Sequence, residues 1–163
     1  MKNLESYIRS VEDFPKPGIL FYDIAPLLGS AEAFADATEQ IAAPLDGKID
    51  KLVAFDARGF LFAGAVAMRL GIGFAILRKP GKLPGDTEQI SYDLEYGSNQ
   101  LEIQSDVVKR NERVALLDDV IATGGTALAG IELVRRCGAE VVEFCSVIDL
   151  PHLGGSEKIE AAG

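Results

Sequence analysis

One histidine and two cysteines among 163 residues leave little room for metal chemistry on this chain's own side chains. His152 stands alone, and Cys137 and Cys145 lie apart, so a zinc site of cysteine and histidine ligands has too few members. The cysteines fall in an apolar helix end and an apolar strand and read as reduced thiols of a cytoplasmic protein. Positive charge is also scarce. Sixteen Lys and Arg against 25 Asp and Glu give a net charge of −9, which argues against nucleic acid as a partner. No apolar run approaches the roughly 18 residues of a membrane span, so no membrane partner is expected. Met1-Lys-Asn-Leu-Glu-Ser6 lacks the apolar core of a signal peptide. Repeats, low-complexity tracts and a convincing linker are absent as well. Residues 1–163 therefore read as a single domain, long enough to bury roughly two-thirds of its unfolded surface.

What is present alternates. Leu4 to Val11 reads as a short helix with Leu4, Ile8 and Val11 on one face. Phe14 to Asp23 is a loop punctuated by Pro15, Pro17 and Gly18, yet it carries Phe14, Leu20, Phe21 and Tyr22, which connectors seldom expose without a role. Ser30 is an N-cap for a helix from Ala31 to about Ala43. Strand-like runs cover Ile49 to Phe55, Gly73 to Leu77, Val114 to Leu117 and Val141 to Ile148. Helical segments follow the first of them, ending at Leu70 before Gly71, and the third, from about Thr126 to Cys137 before Gly138. Between Leu83 and Val108 there is no Lys or Arg but six acids, and Ser91 to Tyr96 and Gln100 to Gln104 read as a β-hairpin around Gly97-Ser-Asn99. The fold class is α/β: a parallel twisted sheet flanked by helices, with a hairpin beside it.

Ligands of such sheets bind beyond the carboxyl ends of the strands. Three motifs fall at that edge: Asp56-Ala-Arg-Gly59, Arg78-Lys-Pro-Gly-Lys82 and Asp118-Asp-Val-Ile-Ala-Thr-Gly-Gly-Thr126. The last lacks the lysine of a nucleoside-triphosphate P-loop and the spacing of a dinucleotide fingerprint. Adjacent carboxylates repel each other unless a ligand or cation compensates, so Asp118 and Asp119 mark a site. They can accept hydrogen bonds from neighbouring sugar hydroxyls, while the turn Ala122, Thr123, Gly124, Gly125 and Thr126 opens a helix and can hold a phosphate.

Leu117-Asp-Asp-Val-Ile-Ala-Thr-Gly-Gly-Thr126 resembles the phosphoribosyl-pyrophosphate signature of type I phosphoribosyltransferases. Asp13-Phe-Pro-Lys-Pro-Gly-Ile-Leu-Phe21, Asp56-Ala-Arg-Gly-Phe60, Arg78-Lys-Pro-Gly-Lys-Leu-Pro84, Tyr92-Asp-Leu-Glu-Tyr-Gly97 and Leu153-Gly-Gly155 are similar, in the same order, to the adenine phosphoribosyltransferase family. The resemblance implies transfer of phosphoribosyl from phosphoribosyl pyrophosphate to adenine, giving AMP and pyrophosphate in purine salvage. It implies Mg²⁺ bound mainly through the substrate, with no metal site of protein ligands, and a homodimer. It assigns Asp118 and Asp119 to the ribose hydroxyls and Ala122 to Thr126 to the 5′-phosphate. Arg58, Arg78 and Lys82 go to the pyrophosphate end, with Arg78 reaching across the dimer interface. Phe21 stacks on the base and Leu20 offers backbone polar groups to its edge. Glu95 is the proton carrier, with Tyr96 beside it, and Arg58 completes the catalytic set. Residues 1–30 become a base-binding hood and 83–108 a flexible lid.

The family pattern places an arginine where this chain has Tyr22, and a more basic lid than Pro84-Gly-Asp-Thr-Glu-Gln-Ile-Ser91. Relatives also continue into another apolar strand near where this sequence ends. Two other functions share the phosphoribosyl-pyrophosphate site. One is the same chemistry on hypoxanthine or guanine; the other is a non-catalytic regulator.

Overall fold

The computed structural model describes residues 3–93 and 98–163. The expected helix over residues 4–11 stops early. A 3-10 turn, Leu4–Tyr7, is capped by the Asn3 side chain, and the chain then extends as β1 (Arg9–Val11). That strand pairs antiparallel with β2 (Phe21–Asp23), inside what reads as a loop. Helical spacing of Leu4, Ile8 and Val11 loses here to a long-range ladder closed by the Arg9–Asp23 ion pair at 3.1 Å.

Two helices follow, α1 (Ala25–Gly29) and α2 (Ala31–Ala42). The Ser30 hydroxyl accepts the Ala33 N–H and caps α2 as expected. Next come β3 (Lys51–Phe55), α3 (Gly59–Leu70) and β4 (Gly73–Leu77). The hairpin strands are β5 (Thr87–Asp93) and β6 (Ser98–Gln104), so β5 begins earlier than its polar Thr-Glu-Gln start indicates. The chain ends with β7 (Arg113–Ile121), α4 (Gly125–Arg136), β8 (Glu140–Asp149) and α5 (Gly155–Ala161), the last without an expected counterpart.

The parallel sheet has the order β4-β3-β7-β8. Alternation along its two inner strands decides both layers. Leu52, Ala54, Ala115 and Leu117 face a layer built from α1, α2 and α3, where Leu27, Ala37, Phe62 and Val66 are buried. Val53, Phe55, Val114 and Leu116 face α4 and the hairpin, against Ile131, Leu133, Leu101 and Ile103. Leu101 and Ile103 are at most 6% exposed, so the root of the hairpin belongs to the core. Cys137 and Cys145 are free and half-buried, and burial pushes the Cys145 thiol up to about 12.

The amino end of the sheet is closed by Lys51, whose Nζ donates to the Val107 carbonyl (2.5 Å) and to Glu112 (3.0 Å). Both side chains of this ion pair are less than a fifth exposed. Lys51→Met should therefore cost roughly 1–3 kcal/mol by taking the cation from the Glu112 carboxylate, which among the described residues keeps only the Lys109 N–H at 2.8 Å. Urea unfolding measures this, and an unchanged midpoint would show that the pair contributes nothing.

Candidate active site

Strand lengths create the site. The β3–β7 ladder ends at Ala54 and Leu117, but β7 continues to Ile121. Asp118 and Asp119 therefore sit within β7, where β3 has given way to the turn at Asp56–Arg58 and no longer covers that edge. Helix α3 starts at Gly59 and runs close against the acids. A Cβ at Gly59 would lie 2.8 Å from the Leu117 carbonyl oxygen and 3.4 Å from Asp118 Oδ1. Any side chain there would push the helix off the strand.

The pair is electrostatically loaded. Asp118 Oδ1 accepts the Asp119 N–H at 2.8 Å, and an Arg58 guanidinium nitrogen stands 2.6 Å from Asp119 Oδ2. The Arg58 contact is a close ion pair without hydrogen-bond alignment, so buried Oδ2 has no hydrogen-bond partner among the described residues. Burial, then the neighbouring Asp119 charge, raises the Asp118 carboxyl to about 7. Asp119 also moves upward through burial, opposed by Arg58. Carboxylates held this way gain from any donor or cation that enters.

Both acids line a cleft of about 560 Å³ with Asp56, Arg58, Lys79, Tyr92, Gln100 and Thr126. The adjoining hollow, about 160 Å³, is formed by Val120 to Ala127 with Asp118, and so contains the whole turn from Ala122 to Thr126. Gly124, at φ 82, turns the chain into α4, whose first-turn N–H groups lack intrahelical partners. The Tyr92 hydroxyl lies 3.2 Å from Thr126 Oγ1, tying the hairpin to this turn.

The cation loop after β4 is arranged differently from its sequence reading. Arg78 Nε donates to Asp56 Oδ2 at 2.8 Å within the same chain, so the guanidinium braces the ends of β3 and β4. Lys79 lines the cleft instead, while Lys82 meets the hairpin through its backbone N–H. Glu102 organises this loop. Its carboxylate is 2% exposed and accepts the N–H groups of Lys82 (2.9 Å) and Leu83 (3.0 Å). Burial raises its proton affinity, but these backbone donors and Gln89 outweigh that and leave its pKa lowered. Sequence reasoning missed Lys79, Tyr92 and Glu102. Lys79 and Tyr92 stood inside quoted motifs, whereas Glu102 follows a buried Leu101 and strand alternation marks it as outward-facing.

At the other end of the site, Phe21 meets the Phe14 ring edge-on at 5.1 Å, and Arg58 lies over its face at 5.2 Å. Arg58 thus touches both the aromatic loop and the acid pair. Leu20 is 47% exposed. Tyr22 turns away into a separate space of about 690 Å³ between the N-terminal segment and the end of β8. Glu95 and Tyr96 lie outside the described residues.

The raised Asp118 carboxyl has a consequence for stability. A folded-state pKa above the unfolded value makes the folded protein bind more protons, so stability falls as pH rises from the unfolded to the folded pKa. Ligand-free protein should lose thermal stability between about pH 4 and about pH 7, and Asp118→Asn should flatten that slope. Calorimetric melting of both proteins across the range tests this; parallel curves would contradict it.

The family model for the phosphoribosyl transferase domain matches residues 24–160. The adenine phosphoribosyltransferase of Beijerinckia indica is 51% identical over 162 residues, covering 99% of this chain and 90% of that protein. The one from Methylobacterium nodulans is 53% identical over 159 residues, with coverages of 97% and 88%. The crystal structure of adenine phosphoribosyltransferase from Thermoanaerobacter pseudethanolicus superposes with a TM-score of 0.92 at 45% identity, covering 96% of this chain and 92% of that one. The Saccharomyces cerevisiae enzyme, crystallised with an imino-altritol bisphosphate and adenine, gives 0.88 at 38% identity, with coverages of 95% and 91%. Among the described residues no helix is long and apolar enough to cross a membrane. By sequence and by fold, the chain belongs to the phosphoribosyl transferase domain family and, within it, to the adenine phosphoribosyltransferases.

Proposed function

We propose that this protein transfers phosphoribosyl from phosphoribosyl pyrophosphate to adenine, giving AMP and pyrophosphate in purine salvage. The observation that carries the reading is the adjacent pair of half-buried Asp118 and buried Asp119, with Asp119 Oδ2 lacking a hydrogen-bond partner among the described residues, set beside an anion-receptive helix start. Vicinal ribose hydroxyls supply the donors that the pair lacks, and the 5′-phosphate takes the turn from Ala122 to Thr126. The yeast relative's complex with adenine and a bisphosphate supports the same ligand classes here.

In the reaction a purine ring nitrogen bonds to C1′ while the C1′–oxygen bond to pyrophosphate breaks, both electrons leaving with oxygen. The nitrogen loses its proton. Positive charge grows on the ribose and negative charge on the leaving group. Asp118 and Asp119 hold the hydroxyls and sit near the developing positive charge. Arg58 and Lys79 face the cleft where the leaving group would lie, and Lys82 and Arg78 extend that cationic loop. Arg78 reaches a second subunit only if it releases Asp56 or if the partner approaches the Asp56–Arg78 brace itself. Phe21 and Leu20 receive the base, and Glu95, with Tyr96 beside it, moves the purine proton.

Among the described residues no cluster of three or more His, Cys, Asp and Glu could hold a metal ion. The buried Asp119 Oδ2, without a hydrogen-bond partner among the described residues, nevertheless suits Mg²⁺ carried mainly by substrate phosphates, where the ion would neutralise pyrophosphate charge. The reading takes residues 1–163 as one domain, 1–30 as the hood and 83–108 as the lid. Because Leu101 and Ile103 are core, closure involves the hairpin beyond them. A cytoplasmic location, in keeping with the free thiols of Cys137 and Cys145, and the homodimer that the family resemblance implies complete it.

Purified protein with Mg²⁺ and phosphoribosyl pyrophosphate should form AMP from adenine in preference to nucleotides of hypoxanthine, guanine or pyrimidines. Preference for another base would overturn the adenine assignment; no nucleotide from any base would indicate a regulator. Glu95→Gln should lower kcat by about 100-fold or more while KM changes much less. Unchanged turnover would remove Glu95 from the mechanism.

A further inference from the structure

The turn from Ile121 to Ala127 contains no Lys, Arg or His, so its own residues meet a dianionic phosphate with neutral donors alone. The C-terminal segment packs directly behind it. The Leu150 N–H donates to the Ile121 carbonyl at 3.0 Å, and Ser156 Oγ donates to Asp149 at 2.5 Å. Gly155 then lies flat on the turn. A Cβ there would stand 2.3 Å from the Ala122 carbonyl oxygen and 2.8 Å from the Gly124 nitrogen. From the other side, a Cβ on Gly124 would come within 3.0 Å of the Gly155 carbonyl oxygen. Two glycines thus permit backbone-on-backbone contact between the turn and α5. One turn further along α5, Lys158 Nζ donates to the Thr123 carbonyl at 3.1 Å. Arg135 of α4 donates to the carbonyls of Ala162 and Gly163 and holds the far end of α5 against the same helix that the turn opens.

We propose that Lys158 is a positioning residue for the phosphate turn. It fixes the Thr123 carbonyl on the α5 side and supplies the cation that the turn's own sequence lacks. The inference rests on the phosphoribosyl-pyrophosphate reading of the site and adds the C-terminal segment to it. An ammonium bound to the carbonyl restrains the Thr123–Gly124 peptide and polarises it, and its charge attracts a 5′-phosphate to a protein of net charge −9. Lys158 is exposed and at the surface of a short helix, so its replacement leaves the core intact.

The test compares wild type, Lys158→Met and Lys158→Arg by calorimetric binding of phosphoribosyl pyrophosphate with Mg²⁺, with inorganic pyrophosphate as the second probe. A lost charge-assisted contact should weaken phosphoribosyl-pyrophosphate binding by about tenfold in the Met variant, with substantial recovery in the Arg variant. Pyrophosphate affinity and melting temperature should stay at wild-type values, because neither depends on the 5′-phosphate turn. Unchanged phosphoribosyl-pyrophosphate affinity in Lys158→Met overturns the proposal. So does an equal loss for both probes or a fall in melting temperature that accompanies the weaker binding, since each marks a general structural role. Wild-type turnover with adenine is read separately: its failure would sink the enzyme reading while the binding comparison still judged Lys158.

Discussion

Two carboxylates share a partly buried strand end with one guanidinium, and much of the site is organised around that imbalance. Asp118 and Asp119 are held in place because β7 is paired with β3 up to Leu117 and with β8 beyond it, and α3 presses on it through Gly59. Arg58 approaches Asp119 closely but without hydrogen-bond alignment. Desolvation and mutual repulsion therefore remain partly uncompensated in the ligand-free protein, which is what the raised pKa values express. A ligand bringing two hydroxyl donors relieves the imbalance, so the binding energy of the sugar is built into the folded state beforehand.

The surrounding elements are tied to this centre by a few polar contacts. Arg58 connects the acids to Phe21, and Tyr92 connects the hairpin to Thr126. Glu102 gathers the N–H groups of the cation loop onto β6, and Arg78 braces that loop to Asp56. Such links join five sequence-distant segments around one cleft. They also explain why the hairpin cannot be wholly mobile: its root carries Leu101 and Ile103 in the core and Glu102 as the loop's anchor.

Much of the fold was legible in the sequence because parallel strands buried on both faces leave apolar runs with clear ends. Even the half-exposed edge strand Gly73 to Leu77 appears with those same limits, and Ser30 caps α2 as its chemistry indicates. The motif order placed Asp118, Asp119, Arg58 and the turn at one sheet edge, where the structure brings them together. What escaped depends on long-range partners. The β1–β2 ladder defeats a helical pattern, and the Arg78 side chain takes an acid from the neighbouring strand end. Glu102 is buried only because a loop some 20 residues away in sequence folds over it. Helix α5 has no strong apolar period, and its contact with the phosphate turn is made by glycines, which no hydropathy pattern reveals.

The central claim is that the acid pair receives the ribose hydroxyls of phosphoribosyl pyrophosphate. A crystal structure with Mg²⁺ and a non-reactive carbocyclic analogue of that substrate tests it most directly. The account predicts that the ring's two hydroxyls donate to Asp118 and Asp119, with the 5′-phosphate seated in the turn from Ala122 to Thr126. A sugar bound elsewhere, with both carboxylates untouched, would contradict it.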